Sequence, residues 1–186
     1  MPFNIQDIKS ALEFGGARAS HFNVAMQLPG TLDIPGKDVF NRKISFLCNA
    51  ASLPPSTMTT IDVPYFGRKI KVAGNRTFPE WTLTIINDED FTLRNAFEAW
   101  LGAINGHSSN LRNSGANSSP ASYKTDAVVK QFAKDNEITP IRKYKFQGLF
   151  PSEVSPIELS WGTENEIESF TVTLQYDLWE VDNSAE

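Results

Sequence analysis

The sequence is poor in the residue types that cross-linking and catalysis use. Cys48 is the single cysteine, and His21 and His107 are the two histidines, in 186 residues. One thiol excludes an intrachain disulfide and leaves no basis for a cysteine-based zinc site. No apolar run approaches the roughly 18 to 20 residues of a bilayer-spanning helix, so no membrane segment is expected. Met1-Pro2-Phe3-Asn4 lacks the basic-then-apolar layout of a secretory signal, which predicts a protein made and folded in a cytoplasm. Basic residues are missing altogether from residues 150–186, which carry nine acids for a charge of −9. Residues 1–149 carry all 17 Lys and Arg against 13 acids, for +4. A net charge of −5 argues against a dedicated nucleic-acid binder, which needs a broad basic face. The split points instead to an object with one positive and one negative side.

What is present, 40% hydrophobic residues over this length, describes one domain spanning 1–186. Ile5, Ile8 and Leu12 recur at helical spacing behind a potential Asn4 cap, and Gly15-Gly16 stops the pattern, so 4–14 reads as a short amphipathic helix. Alone it is marginal and must dock on its own domain or a neighbour. Residues 21–27 and 40–51 read as strands, the second with Ile44, Phe46, Cys48 and Ala50 on one face, separated by a turn-rich excursion. After Pro54-Pro55, Thr57, Thr59, Ile61 and Val63 alternate with Met58, Thr60 and Asp62, and Ile70 and Val72 alternate with Lys69 and Lys71. This predicts a hairpin over 57–73 that turns near Pro64 to Gly67. It has few large apolar side chains, so it is expected to project and find partners on another chain.

Trp81, Leu83 and Ile85 mark a half-buried strand over 80–86. Asn87-Asp88-Glu89-Asp90 then supplies a cap and an acidic first turn for a helix over 88–104, whose stripe of Leu93, Ala96, Phe97, Trp100, Leu101 and Ile104 should cover a sheet. Residues 105–122, twelve of them Ser, Asn or Gly, read as a mobile surface loop without core residues. Two further strands follow over 126–133 and 141–150. The last strand sets Phe170, Val172, Leu174, Tyr176 and Leu178 on one face. Together these predict a β-rich α+β domain of about seven strands, in two packed antiparallel sheets forming a sandwich or distorted barrel, with one covering helix.

No residue set supports an enzyme, and no cofactor or metal is implied. The G-x-S-x-G elbow, the phosphate-binding G-x-x-x-x-G-K-[ST] and the G-x-G-x-x-G fingerprint are all missing. The acids of 87–90 suit a helix dipole better than a metal, because calcium-loop spacing is absent. Cys48 falls on an apolar face and reads as core. Arg68, Lys69, Lys71 and Arg76 suit ion pairing with an acidic protein neighbour better than nucleic acid, since no exposed aromatic run accompanies them.

Four ordered blocks are more specific. The stretch from Gly67-Arg68-Lys69-Ile70-Lys71-Val72 through Phe78-Pro79-Glu80-Trp81-Thr82-Leu83 to Asn87-Asp88-Glu89 resembles the central part of the tail tube proteins of T-even-like contractile-tailed bacteriophages. The likeness resumes at Tyr123-Lys124 through Val128-Val129-Lys130-Gln131-Phe132-Ala133, then at Tyr144-Lys145-Phe146-Gln147-Gly148-Leu149-Phe150-Pro151. It ends with Trp161 and Asn165 to Leu174, closing near Leu178-Trp179-Glu180.

The resemblance implies a non-enzymatic virion protein whose subunits form six-membered rings, stacked head to tail into a hollow tube. Inner sheets of the six subunits would join into one β-barrel around the channel. The implied partners are further copies of the chain, a tail sheath protein, a tape-measure protein and a baseplate tube initiator. DNA would pass through the lumen without sequence-specific binding. Such a protein resides in the virion tail and is assembled in the host cytoplasm. Tubes of non-phage or type VI-like injection systems, and tube initiator or terminator paralogues, share this description. A monomeric β-sandwich binding module is the reading from another class.

Within this frame Thr57, Thr59, Ile61, Val63, Arg68, Lys69 and Lys71 are expected at contacts within and between rings, and Ile5 and Ile8 on an adjacent subunit. Trp81, Leu83, Leu93, Phe97, Trp100, Leu101, Phe170, Val172 and Leu174 are the expected core. Residues 29–39, 105–122 and the 181–186 extension exceed the family pattern and are expected outside the barrel or at ring edges. A DNA conduit should not grip phosphate, so part of the Lys-free last third, or the acids near it, is expected to face the channel.

Overall fold

The computed structural model describes residues 5–12, 15–112, 119–134 and 139–182. Among these residues the chain forms α1 (Ile5–Ala11), β1 (Phe22–Met26), α2 (Lys37–Leu47), β2 (Cys48–Ala51), β3 (Thr57–Tyr65), β4 (Arg68–Thr77) and β5 (Trp81–Ile86). It continues through α3 (Thr92–Ile104), α4 (Pro120–Tyr123), β6 (Thr125–Phe132), β7 (Pro140–Val154), β8 (Ser169–Gln175) and β9 (Leu178–Asp182). The strands run in the order β1-β6-β7-β8-β5-β2, all antiparallel, with β9 also on β7 and the β3–β4 hairpin standing apart.

Strand β7 is the hinge of this arrangement. Its first part lies between β6 and β9, and its last residues, Phe150 to Val154, pair with β8. The path is therefore two sheets sharing one bent strand: a first sheet of β1, β6, β7 and β9, and a second of β7, β8, β5 and β2. Where the strand turns, Gly148 has φ +69°, and a Cβ added there would lie 2.8 Å from Asp177 Cγ. Asp177 is fixed by its amide, which donates to the Gln147 carbonyl at 3.0 Å, and by Lys124 at 2.6 Å. Gly148→Ala combines a left-handed alanine with this clash and is expected to cost about 1–3 kcal/mol. Urea unfolding at unchanged slope reads the loss, and an unchanged midpoint would show that the bend accepts a side chain.

The inner faces close on one core. Val24, Met26, Ala127, Val129 and Phe146 come from the first sheet, and Trp81, Leu83, Ile85, Phe170, Val172 and Leu174 from the second; all are buried. Trp81 stacks on Phe146 with centroids 4.1 Å apart, joining the two sheets directly. The predicted core is found here, with Leu93, Phe97 and Trp100 buried on α3 and Leu101 half-buried at the edge of the stripe.

Several expectations are corrected. Residues 37–47 are helical, and the strand occupies only 48–51. Phe40 and Ile44, one turn apart, are both fully buried, and Phe40 meets Phe97 edge-on at 5.2 Å. Phe46, expected inside, is 83% exposed, and Ala50 is exposed beyond a bulge after Cys48. The residues fit both a period of two and a period of 3.6, and packing against α3 selects the helix. Two helices, α2 and α3, therefore pack against the sheets instead of one.

Helix α3 starts at Thr92, later than 88. Phe91 is left-handed at φ +52°, and Asp88 Oδ1 accepts the Thr92 N–H at 3.1 Å. Lys43 of α2 forms a close ion pair with the same carboxylate and lies 3.6 Å from Asp90, tying the two helices together. Burial alone would push the Asp88 carboxyl up; the hydrogen bonds from Lys43 and the Thr92 amide outweigh it and hold it below its usual value.

The supposed additions are partly structural. Leu32 and Ile34 of the 29–39 excursion are buried. Ser122, at the end of 105–122, is also buried, and its carbonyl accepts the Thr31 hydroxyl. Trp100 Nε1 donates to the neighbouring Tyr123 carbonyl at 2.9 Å. Val181 and Asp182 belong to β9, opposite Tyr144 and Lys143. The predicted last strand breaks at Tyr176 and Asp177, so Leu178 begins β9 and is half-buried. The Asn4 cap, residues 113–118 of the polar loop and residues 183–186 lie outside the described residues.

Candidate assembly surfaces

The β3–β4 hairpin leaves the domain and buries nothing on it. Every residue from Thr57 to Thr77 is exposed except Gly74, which is half-buried. The register Ile61↔Val72 and Val63↔Ile70 collects the apolar residues on one face. Asp62↔Lys71 and Pro64↔Lys69 lie on the other, where Lys69 is 3.7 Å from Asp62. Arg68, Lys71 and Arg76 make no ion pair among the described residues. The predicted contact residues Thr57, Thr59, Ile61, Val63, Arg68, Lys69 and Lys71 thus share one free-standing ribbon. An isolated two-stranded ribbon is at best marginal in water.

The turn falls within the expected Pro64 to Gly67, while the strain at its tip and the anchoring of its root are not legible in the sequence. Phe66 and Gly67 form the turn with φ of +43° and +76°, the two left-handed residues of a tight hairpin turn. A phenylalanine there is strained, yet it is 91% exposed and meets Tyr65 edge-on at 4.7 Å. At the root, Trp81 Nε1 donates to the Ser52 carbonyl at 2.8 Å, and Trp179 Nε1 to the Pro55 carbonyl at 3.1 Å.

The outward face of the second sheet is the next surface. Its cross-strand pairs are Thr82↔Thr173 and Thr84↔Thr171, with Gln175 donating to Glu80 at 3.2 Å and Ser152 and Glu153 alongside. No Lys or Arg occurs in β2, β5, β8 or the 150–154 part of β7. Lys130, Arg142, Lys143 and Lys145 all lie on the first sheet. Lysine and arginine are thus confined to the first sheet of the two, while the acids of the last third lie mainly in the 155–168 segment and on β9. The second sheet also ends in two open strands, β2 and residues 150–154, which pair on one side only.

Residues 155–168, between β7 and β8, form the third surface. Leu159 is 80% exposed, Ile167 77%, and Trp161 fully. The segment bounds a groove of about 470 Å³ with Ile157, Leu159 and Ile167 in its walls and Glu158, Glu166 and Glu168 around them. Its ends are fixed: Arg94 Nη1 donates to the Ser155 carbonyl at 3.1 Å, and the Asn87 amide to the Glu168 carbonyl at 2.8 Å.

Helix α1 is exposed throughout, with Ile5, Ile8 and Leu12 presented to solvent. Cys48 is buried among apolar groups, and desolvation pushes its thiol up to about 12. Among the described residues no group of His, Cys, Asp and Glu is placed to hold a metal.

This architecture is that of the tube and tube-terminator proteins of contractile injection systems. The chain superposes on a PVC sheath/tube terminator with a TM-score of 0.63 at 15% identity, covering 90% of this chain and 96% of that one. A tube-terminating cap of the anti-feeding prophage gives 0.62 at 18% identity, over 91% and 92% of the two chains. A chain of the PVC sheath-tube complex gives 0.59 at 16%, over 97% and 98%. These likenesses establish the fold. Residues 17–182 match the family model described as phage tail tube protein. The chain is 34% identical over 177 residues to tail tube protein gp19 of Enterobacteria phage T4, covering 95% of this chain and 99% of that protein. It is 25% identical over 174 residues to the tail tube protein of Serratia phage KSP90, covering 92% and 93%. The chain belongs to the phage tail tube protein family, structural proteins of contractile bacteriophage tails.

Proposed function

We propose that the chain assembles into six-membered rings stacked head to tail, forming the inner tube of a contractile tail and the conduit through which DNA leaves the virion. The observation that carries this reading is the second sheet, whose threonine-rich outer face holds no Lys or Arg and whose two edges are open. Joining such edges between subunits closes a barrel and removes edges that would otherwise aggregate. The phosphate-neutral face then lines the channel, and a polyanion slides past it without being held.

The hairpin residues Thr57, Thr59, Ile61, Val63, Arg68, Lys69 and Lys71 make contacts within and between rings, and Ile5 and Ile8 of α1 dock on an adjacent subunit. The first sheet and the helices face outward, toward the sheath. A tape-measure protein occupies the lumen before DNA, and a baseplate initiator starts the tube, with assembly in the host cytoplasm. The 99% coverage of a tail tube protein favours the tube subunit over a terminator or initiator paralogue. Electron microscopy of the purified protein tests the reading. Hollow stacked rings are expected, and monomers at every salt and protein concentration would overturn it.

A further inference from the structure

The hairpin and the 155–168 segment stand at opposite ends of one sheet. β5 begins at Trp81, just after the hairpin, and its other end, Ile86, pairs with Ser169, just after the 155–168 segment. In the stacking inferred below, a copy displaced along the strand direction brings the tip of one hairpin toward the 155–168 segment of the next. Nine residues of β3 at about 3.3 Å each give the hairpin a reach of roughly 30 Å.

The two ends are complementary in shape and charge. The tip offers Tyr65 and Phe66, exposed and edge-on to each other, and the ribbon carries Arg68, Lys69, Lys71 and Arg76 against the single acid Asp62. The groove offers apolar walls from Ile157, Leu159 and Ile167, and the segment carries Glu158, Glu164, Glu166 and Glu168 with no Lys, Arg or His. Ile157 packs partly on the core, whereas Tyr65, Phe66, Leu159 and Ile167 are exposed. We infer that the groove of residues 155–168 receives the Tyr65-Phe66 tip of a second copy, with Arg68 and Lys71 facing Glu158 and Glu166. The inference rests on the proposed tube and names the contact between successive subunits. The strained, exposed turn at Phe66 then has a purpose: it presents an aromatic ring at the end of the ribbon. The competing occupant, α1 of a neighbour, carries one acid and one base, Asp7 and Lys9, and so offers no charge match to the groove. The contact is heterologous and open-ended, as a filament requires.

Site-directed cross-linking tests the contact, because Cys48 is buried and leaves a clean background. Full-length Phe66→Cys and Leu159→Cys proteins are mixed, polymerised and mildly oxidised. Disulfide-linked dimer should exceed the Phe66→Cys with Phe46→Cys control roughly tenfold or more, as proximity raises the effective thiol concentration. Equal yields, or efficient linkage of Leu159→Cys to Ile8→Cys instead, would overturn the inference while visible tubes leave the tube reading intact. Wild-type protein that forms no tubes would overturn both. Arg68→Glu with Lys71→Glu should abolish polymerisation, and combination with Glu158→Lys and Glu166→Lys should restore it. Failure of the combination to restore tubes, when all variants keep wild-type circular dichroism, counts against the pairing.

Discussion

Thr82→Lys combined with Thr173→Lys is expected to leave tubes intact and slow genome release at least about tenfold at low salt. The two residues are direct cross-strand partners on the outer face of the second sheet, so both ammonium groups emerge at one place. Thr82 is exposed and Thr173 half-exposed, which lets lysine stand without disturbing Leu83 or Val172 beneath. Each subunit then contributes two phosphate contacts, and the series repeats along the whole path of the polymer. Because such contacts release counterions, the delay should shrink steeply as salt rises, with a log–log slope of about −0.9 per phosphate engaged. Release followed on variant phage over a salt series reads this directly. The Thr82→Gln with Thr173→Gln pair, equally long and uncharged, should behave as wild type. Wild-type release from a lysine variant with normal tubes would show that this face does not line the channel.

Trp81→Ala should be the most damaging single truncation of the core. The indole is fully buried, stacks on Phe146 across the two sheets, and donates to the Ser52 carbonyl. Removing a side chain of this size costs about 3–5 kcal/mol, a large part of the roughly 5–15 kcal/mol that holds a domain together. The loss also leaves the Ser52 carbonyl without its donor and frees the incoming strand of the hairpin. Chemical denaturation of unassembled protein should show the full loss, whereas Phe46→Ala, at an exposed site, should be nearly silent. A change below about 1 kcal/mol for Trp81→Ala would contradict the packing described.

The parts legible in the sequence are those where periodicity and local signals agree. Alternation around Trp81 and Phe170 and the stripe of α3 have one reading each, and the structure follows it. Residues 40–51 have two, because Ile44, Phe46 and Cys48 alternate while Phe40 and Ile44 are one helical turn apart. The choice is made by Phe97, more than fifty residues away, which no local pattern contains. Leu32 and Ile34 sit among Pro and Gly, where no period identifies them as core. The hairpin was readable as a projecting element because its residues suit no core. The 155–168 segment was not readable as a surface, since Leu159, Trp161 and Ile167 look like ordinary buried residues until the sheets close without them. The charge split was plain as a count, but the absence of Lys and Arg from one whole sheet emerges only from the order of the strands.

The two indole hydrogen bonds at the root of the hairpin have a mechanical side. A ribbon clamped at one end is a cantilever, and it magnifies any rotation at the clamp. Over roughly 30 Å, from nine residues at about 3.3 Å each, a 5° tilt at Ser52 and Pro55 moves the tip by about 2–3 Å. That is most of the width of an atomic contact. In a filament whose successive units are aligned by such arms, angular errors accumulate from unit to unit. In the proposed tube, Trp81 and Trp179 would bear on the straightness of the whole assembly through the angle at which the arm leaves the body.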